Sequence, residues 1–207
     1  MKTFSQFLTE AEYSAAPEVE ELHCHDIDDT LLKTHARIYV NDHKGNRTRS
    51  LTPDEYNTHK LPKNHSYDFS EFRDASKFHD TSTPIKPGID RLIDQQKDKK
   101  KRTIMVTART DFSDKTGGKQ KVLNTFKRNG IDMKKCHLHR AGNEGGSGPE
   151  NKVKVIQRHL DAHKYKHAHL YDDCSDNLDS FKKMKEKNPD TQFHAHHVQH
   201  DGGIKDY

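Results

Sequence analysis

The chain has 207 residues, of which 29% are hydrophobic and 33% are charged, and its formal net charge at pH 7 is +4. This length allows one domain with an insertion, while the low apolar content excludes a large core. The nearly balanced charge does not by itself indicate nucleic-acid binding, and no apolar run reaches the roughly 18 residues that a membrane span requires. The three cysteines form no close-spaced pair, which favours free thiols in a reducing, cytoplasmic compartment.

Residues 1–20 are predicted to form an N-terminal appendage. Residues 1–11 place Phe4, Phe7 and Leu8 on one face of a short helix, and Pro17 interrupts the pattern. The same segment resembles the leaders of tailed-phage internal head proteins, which a prohead protease removes after a hydrophobic-x-Glu triplet. That resemblance implies a phage protein of the host cytoplasm that is packaged in the virion. The alternative is an N-terminal helix that frays.

An acidic stretch ends the first predicted strand, residues 22–27. Asp26 and Asp28 lie two residues apart and are followed by Thr30. Such a pair can hold a divalent cation or divide nucleophilic attack and proton transfer between two carboxylates, but it also suits a turn that caps a helix.

Residues 33–83 are predicted to form a cap-like insertion over the acidic stretch. Residues 37–40 and 47–51 flank a turn that contains Gly45, which favours a hairpin. Residues 52–55 read as a capping box with proline at the first helical position. The alternative is a hairpin that only completes the core.

The pattern becomes regular from residue 84. Helices are predicted to begin at Pro87 and to cover residues 119–129, 152–163 and 175–187, and strands to cover residues 103–106, 135–140, 167–171 and 191–200. A glycine-rich loop is predicted at residues 143–149. The alternation predicts an α/β domain of residues 21–207, built on a Rossmann-like, mostly parallel five-stranded sheet with helices on both faces.

Side chains able to do chemistry fall where the parallel strands are predicted to end, which is where ligands bind in such sheets. The candidates are Asp26, Asp28, Thr107, Ala108, Arg109, Lys152, Asp172 and Asp173. Lys152 is predicted to open its helix, and Lys154 is the alternative lysine. Other interpretations are open: Thr107 as a strand end, Arg109 as an exposed surface charge, and the acidic pair as a helix cap.

The order of these residues resembles the haloacid dehalogenase superfamily of phosphotransferases. Asp26-Ile27-Asp28-Asp29-Thr30 matches the first motif, D-x-D-x-T, and Thr107 matches the second. Lys152 matches the third motif, and Asp172-Asp173 match the fourth, an acidic pair that closes a strand. The sequence departs from the family where His23 and His25 replace aliphatic residues and where Asn177 replaces an acid.

The resemblance implies a Mg²⁺-dependent phosphatase. Asp26 would attack phosphorus, and Asp28 would protonate the leaving oxygen and then activate water. Thr107, with Ala108 and Arg109, would bind the phosphoryl group, and Lys152 would neutralise its charge. Asp26, Asp172, Asp173 and Asp28, the last through its backbone carbonyl, would hold the metal.

The expected substrate is a phosphorylated small molecule or a nucleic-acid end. Basic side chains in the insertion favour a nucleotide or a 3′-phosphate end: Arg37, Lys44, Arg47, Arg49, Lys60 and Lys63. The alternative is a non-catalytic binding or virion-internal protein on the same fold. A zinc site is a further hypothesis, because His194, His196 and His200 would share one strand face, although no cysteine or carboxylate accompanies them at a recognisable spacing.

Overall fold

The computed structural model describes residues 13–112 and 118–207, apart from the side chains of Asp54 and Asn57. The helix predicted for residues 1–11 lies outside the described residues. Tyr13 stacks on His139 with ring centroids 5.3 Å apart, and Val19 is buried in the core. Among the described helices, none has the length and apolar character needed to cross a membrane.

Strands and helices alternate through most of the described chain. The strands are β1 (Glu21–His25), β2 (Leu32–Lys33), β3 (Ile38–Asn41), β4 (Arg47–Leu51), β5 (Ser66–Asp68), β6 (Thr83–Pro84), β7 (Lys101–Thr107), β8 (Cys136–Arg140), β9 (His167–Asp172), β10 (Gln192–Val198) and β11 (Ile204–Asp206). The helices are α1 (Pro53–Thr58), α2 (Ala75–Thr81), α3 (Lys86–Gln95), α4 (Gly118–Arg128), α5 (Gly148–Ala162) and α6 (Ser175–Lys182), with single 3-10 turns at Ser70–Arg73, Ala141–Glu144 and Lys183–Glu186.

The central sheet has six strands in the order β11-β10-β9-β1-β7-β8. Five of them are parallel, and β11 runs antiparallel to β10. The prediction of five strands is therefore wrong by one. The missed strand has only three residues, all exposed, so no hydrophobic alternation marks it. It returns after a turn in which Gly202 adopts a φ of 83°.

Two apolar clusters cover the two faces of this sheet. Leu22 and Cys24 of β1 pack in one cluster with side chains of α5 and α6, such as Ile156 and Phe181. Met105 of β7 packs in the other cluster with side chains of α3 and α4. The strand alternation thus buries successive residues under different helices.

The insertion is a small sheet of its own in the order β4-β3-β5. The predicted hairpin is β3 and β4, and the predicted capping box of Thr52 and Glu55 opens α1. Ile38, Val40 and Leu51 form its apolar cluster. At its base, β2 pairs with β6, so that Lys33 lies opposite Thr83. The insertion therefore leaves and rejoins the core at adjacent points.

Helix α5 begins four residues earlier than predicted. Ser147 caps it by accepting from the Glu150 amide, and Glu150 reaches back to the Ser147 amide. This is an S-x-x-E capping box hidden at the end of the glycine-rich run. Lys152 consequently lies in the second turn of α5 and does not open the helix.

Candidate active site

The predicted site residues meet at one edge of the central sheet. Asp26 follows β1, Thr107 ends β7 and Asp172 ends β9. Because these strands are parallel neighbours, their carboxyl ends lie side by side. The Asp26 amide donates to the carbonyl oxygen of Tyr171 at 2.9 Å, which fixes the acidic loop against β9.

Lys152 of α5 contacts the carboxylates at the ends of two strands. Its Nζ lies 2.6 Å from Oδ1 of Asp26 and 2.7 Å from Oδ2 of Asp172, and all three side chains are buried. The remaining oxygen of Asp172 accepts from the Asn177 side chain at 2.9 Å and from the Cys174 amide at 3.0 Å. Lys154 is exposed. The structure therefore places Lys152, not Lys154, in the site.

Negative charge exceeds positive charge at this point. Oxygen atoms of Asp26, Asp172 and Asp173 lie within 4.8 Å of one another, and Lys152 contributes a single charge. Burial and the neighbouring carboxylates hold the pKa of Asp26 well above its usual range, despite the attraction of Lys152. Burial and Asp172 raise the pKa of Asp173 to about 7. A crowded set of carboxylate oxygens with surplus negative charge is the kind of site that fits Mg²⁺.

Asp28 pairs with Arg109. The guanidinium donates to both oxygens of Asp28, with Nε 2.9 Å from Oδ2 and Nη2 2.6 Å from Oδ1. Thr34 donates its hydroxyl to Oδ1 at 2.6 Å. Burial alone would raise the pKa of Asp28, but the charge and hydrogen bonds of Arg109 and the Thr34 hydroxyl hold it below its usual range. That Asp28 offers its backbone carbonyl to a metal stays a prediction.

Arg109 is buried, with 4% of its surface exposed, so its interpretation as a surface charge is wrong. Its Nη1 donates to the carbonyl oxygen of Phe72 at 2.7 Å. The guanidinium lies over the rings of Phe72 and Phe78, 4.7 and 4.9 Å from their centroids. Both phenylalanines belong to residues 33–83, so Arg109 connects the insertion to the acidic loop.

Thr107 and Ala108 complete the predicted set. Thr107 is buried, its hydroxyl lies 3.5 Å from Oδ2 of Asp28, and it accepts from the Arg109 amide at 3.2 Å. Ala108 is exposed beside it. Gly142 packs so closely that a Cβ there would lie 2.2 Å from the carbonyl oxygen of Ala108.

Sequence reasoning missed three contributors to this geometry. Thr34, Phe72 and Gly142 set the positions of Asp28, Arg109 and the Thr107–Arg109 backbone. Of these, only Gly142 carried a signal, since glycine often marks a close backbone approach. Comparisons with protein-family models, with curated proteins and with solved structures found no match to this chain.

Proposed function

We propose that this chain is a Mg²⁺-dependent phosphomonoester hydrolase that resembles the haloacid dehalogenase superfamily and acts through an aspartyl-phosphate. The observation that carries the proposal is the Lys152 ammonium between Asp26 and Asp172, with Asp28 and Thr107 at the same sheet edge. A buried carboxylate paired with lysine and surrounded by hydroxyl and acidic groups suits attack on phosphorus.

The topology supports a Rossmann-like reading of the sheet. Counted along the chain, the five parallel strands are β1, β7, β8, β9 and β10, and the connections run to one side of β1 and then to the other. The order reverses between β1 and β9, and ligands bind at such a switch point in open α/β sheets. Asp26 and Asp172 stand on either side of it.

In the proposed reaction, an oxygen of Asp26 attacks phosphorus and the bond to the leaving oxygen breaks. Asp28 gives its proton to that oxygen. Asp28 then takes a proton from water as the water attacks the aspartyl-phosphate, which releases phosphate and restores Asp26. The Thr107 hydroxyl donates to a phosphoryl oxygen, and the Lys152 ammonium favours the charged form of Asp26 against the effect of burial and offsets the negative charge that gathers around it.

Asp26, Asp172, Asp173 and the backbone of Asp28 are the proposed Mg²⁺ ligands. The surplus carboxylate charge and the raised pKa values of Asp26 and Asp173 support this assignment. When bound, the ion supplies positive charge that offsets repulsion between the nucleophile and an anionic substrate. Thr30, whose hydroxyl lies 3.4 Å from Oδ1 of Asp173, orients that carboxylate.

Arg109 has to change partners before Asp28 can act as an acid, because the contacts of Arg109 with Asp28 favour the charged carboxylate. A phosphoryl group offers the guanidinium a stronger planar, bidentate partner. Substrate binding therefore draws Arg109 from Asp28 and raises the pKa of that carboxyl. Arg109 thus couples phosphate binding to the proton that the leaving group needs.

The insertion supports a nucleotide or a nucleic-acid 3′-phosphate end as the substrate. Lys44, Arg49, Lys60 and Lys63 are exposed cations, and Phe69 of the same segment is 42% exposed. Cations bind backbone phosphates, and an exposed ring can stack on a base. Competition by an oligonucleotide that bears a 3′-phosphate, and its loss at high salt, tests this class of substrate.

The decisive experiment is phosphate release from para-nitrophenyl phosphate by the full chain, with Mg²⁺ and with EDTA. Wild type should be active only with Mg²⁺, and Asp26→Asn should abolish turnover because the amide cannot attack phosphorus. Asp28→Asn should lower kcat by about 10²- to 10⁴-fold, the usual contribution of a general acid–base group. Asp190→Asn, an exposed aspartate before β10, is the matched control and should leave kcat unchanged.

Turnover that survives Asp26→Asn would refute the assignment of Asp26 as the nucleophile. A wild-type protein that hydrolyses neither this substrate nor nucleotides and 3′-phosphate ends would refute the proposed phosphatase activity. A non-catalytic binding or virion-internal protein would then be the better account.

A further inference from the structure

Histidine rings form ordered rows across one face of the central sheet. His23 of β1, His169 of β9 and His194 of β10 occupy one row, since their strands pair in register. Their ring centroids are 4.4 Å apart at each step, close to the spacing of neighbouring strands. His25, Tyr171 and His196 form the next row, with centroid steps of 4.6 and 4.5 Å.

A carboxylate lies at the edge of the first row. Oε2 of Glu21 is 2.8 Å from Nε2 of His23 and 3.9 Å from Nε2 of His169. An ion with four ligands at 2.0–2.1 Å holds them about 3.3–3.4 Å apart, which lies between these two distances. One ligand atom of each residue lies within 4.8 Å of the others, so a small displacement of the glutamate and a turn of the two nearly parallel rings place all three around one ion.

The other nitrogen of each imidazole already has a partner. Nδ1 of His169 lies 3.1 Å from Nε2 of His196, whose own Nδ1 lies 3.4 Å from Oδ1 of Asp206. Nδ1 of His23 lies 3.3 Å from the Tyr171 hydroxyl. Metal-binding histidines characteristically donate their second nitrogen to a carboxylate, a backbone carbonyl or water, which fixes the ring and its tautomer. His196 and the Tyr171 hydroxyl are the corresponding partners of His169 and His23.

The charges around this cluster are compatible with a cation. Lys101 is a nearby positive group, with Nζ 3.9 Å from Glu21, and Asp98 at 3.7 Å offers it a second partner. Burial lowers the pKa of His23 to about 3 and of His169 to about 2, so both rings are neutral ligands at pH 7. The Glu21 side chain is 28% exposed and gives the cluster access to solvent.

We infer that Glu21, His23 and His169 form a second metal site, which binds a divalent transition-metal ion of the zinc type. Two imidazoles and one carboxylate suit Zn²⁺ and leave a fourth position for water, whereas Mg²⁺ prefers oxygen ligands. The cluster differs from the histidine set suggested by the sequence, because His200 lies beyond the end of β10 and the carboxylate comes from β1. It is also distinct from the acidic site, since His23 precedes Asp26 by three residues, about 10 Å along an extended chain.

Competitive titration of the metal-free full chain with Zn²⁺ and a chromophoric chelator, in excess Mg²⁺, tests this site. Wild type should bind one Zn²⁺ tightly. Glu21→Gln and His169→Gln should each raise the Kd by at least the 10- to 100-fold that removing an outer partner of a metal ligand causes. His196→Gln removes the partner of His169 Nδ1 and should raise the Kd by that same 10- to 100-fold.

Two variants serve as matched controls. His167→Gln changes a histidine of the same strand face, outside the proposed ligand set, and should leave the Kd unchanged. Asp26→Asn removes the proposed nucleophile and should also leave it unchanged, so failure of the phosphatase proposal is separable from failure of this one. Thermal melting without metal establishes that each variant folds, and Glu21→Gln carries the test if His169→Gln does not.

Absence of a stoichiometric Zn²⁺ site in wild type would overturn the inference. A Kd that rises with Asp26→Asn would assign the ion to the acidic site instead. A Kd that rises with His167→Gln but not with Glu21→Gln would assign it to the His167–His194 pair. Substitution by Co²⁺ adds a second readout, because a four-coordinate site gives much stronger visible absorption than a six-coordinate one.

Discussion

At the scale of single residues, the pairing of Asp28 with Arg109 decides how the proposed acid can work. Arg109 holds the pKa of Asp28 low, yet proton donation needs the protonated form. In the kcat/KM profile, which reports the free enzyme, loss of that form sets the limb on the basic side. Because the guanidinium lies against Asp28 before substrate binds, it moves this limb toward lower pH.

Arg109→Gln removes that positive charge, so the pKa of Asp28 should rise and the basic limb should move to higher pH. The phosphoryl group also loses a charged hydrogen-bond partner worth about 1.5–3 kcal/mol, so kcat/KM should fall about 10- to 100-fold. Rate profiles between pH 5 and 9 measure both effects. Arg128→Gln, which changes an exposed arginine at the end of α4, is the control, and an unmoved limb in Arg109→Gln would contradict the proposed coupling.

Single residues also mark what the sequence could predict. Asp26, Thr107 and Asp172 were predictable together, because the ends of parallel strands meet at one edge. The burial of Arg109 was not, since a lone arginine after a strand looks the same whether exposed or buried. It depends on Phe72 and Phe78, which reach it only through the folded insertion.

At the scale of elements, the segment between β8 and α5 positions the backbone of Ala108 and Arg109. The 3-10 turn Ala141–Glu144 brings Gly142 against the backbone of Ala108 and Arg109, and α5 then carries Lys152 under the strand ends. The capping box of Ser147 and Glu150 has the S-x-x-E pattern but was not predicted, because the neighbouring glycines indicated a loop. Gly142 signalled a close backbone approach, but the backbone that it approaches could not be predicted, because that depends on how β7 and β8 pair.

Gly142→Ala should weaken both stability and activity. The added methyl would lie 2.2 Å from the Ala108 oxygen and 2.8 Å from the Arg109 carbonyl carbon, so the backbone that aims Arg109 must shift. Such overpacking typically costs about 1–3 kcal/mol of unfolding free energy. Thermal melting and kcat/KM measure the two losses. Gly148→Ala, whose methyl would lie 4.0 Å from its nearest neighbour, should cause neither, and equal effects of both variants would contradict the assigned contact.

At the scale of the whole molecule, several histidines pack in the interior of the fold as well as providing possible metal ligands. The chain has seventeen, and several lie inside the fold where aliphatic side chains are usual. His23 and His25 replace apolar residues on one face of β1, while His139 and His159 face each other with their Nε2 atoms 3.0 Å apart. Strand positions were predictable from apolar alternation. The burial of these histidines was not, because the residue type does not reveal whether an imidazole is buried and neutral or exposed and charged.

Buried neutral histidines make stability fall with acid. Burial lowers the pKa to about 3 for His23 and His25, to about 4 for His139, and to about 2 for His159 and His169. Unfolding returns each to about 6.5, so the unfolded chain binds more protons below that pH. The stabilisation is complete above about pH 6.5 and is lost progressively as the pH falls toward the folded-state pKa values of about 2 to 4. Asp26 and Asp173, whose pKa values are raised, act in the opposite sense but are fewer.

We therefore expect the free energy of unfolding, measured in urea with EDTA present, to decrease steadily from pH 6.5 to 4.5. Each excess proton bound by the unfolded chain contributes about 1.4 kcal/mol per pH unit to that slope. His159 belongs to neither proposed metal site, and His159→Leu removes one such proton. The free energy of unfolding of His159→Leu should therefore change less steeply with pH, by about 1.4 kcal/mol per pH unit, whatever the stability of the variant at pH 7. A wild-type free energy that stays constant across this range would show that these imidazoles accept protons within the folded protein, and a slope unchanged in His159→Leu would remove His159 from the set.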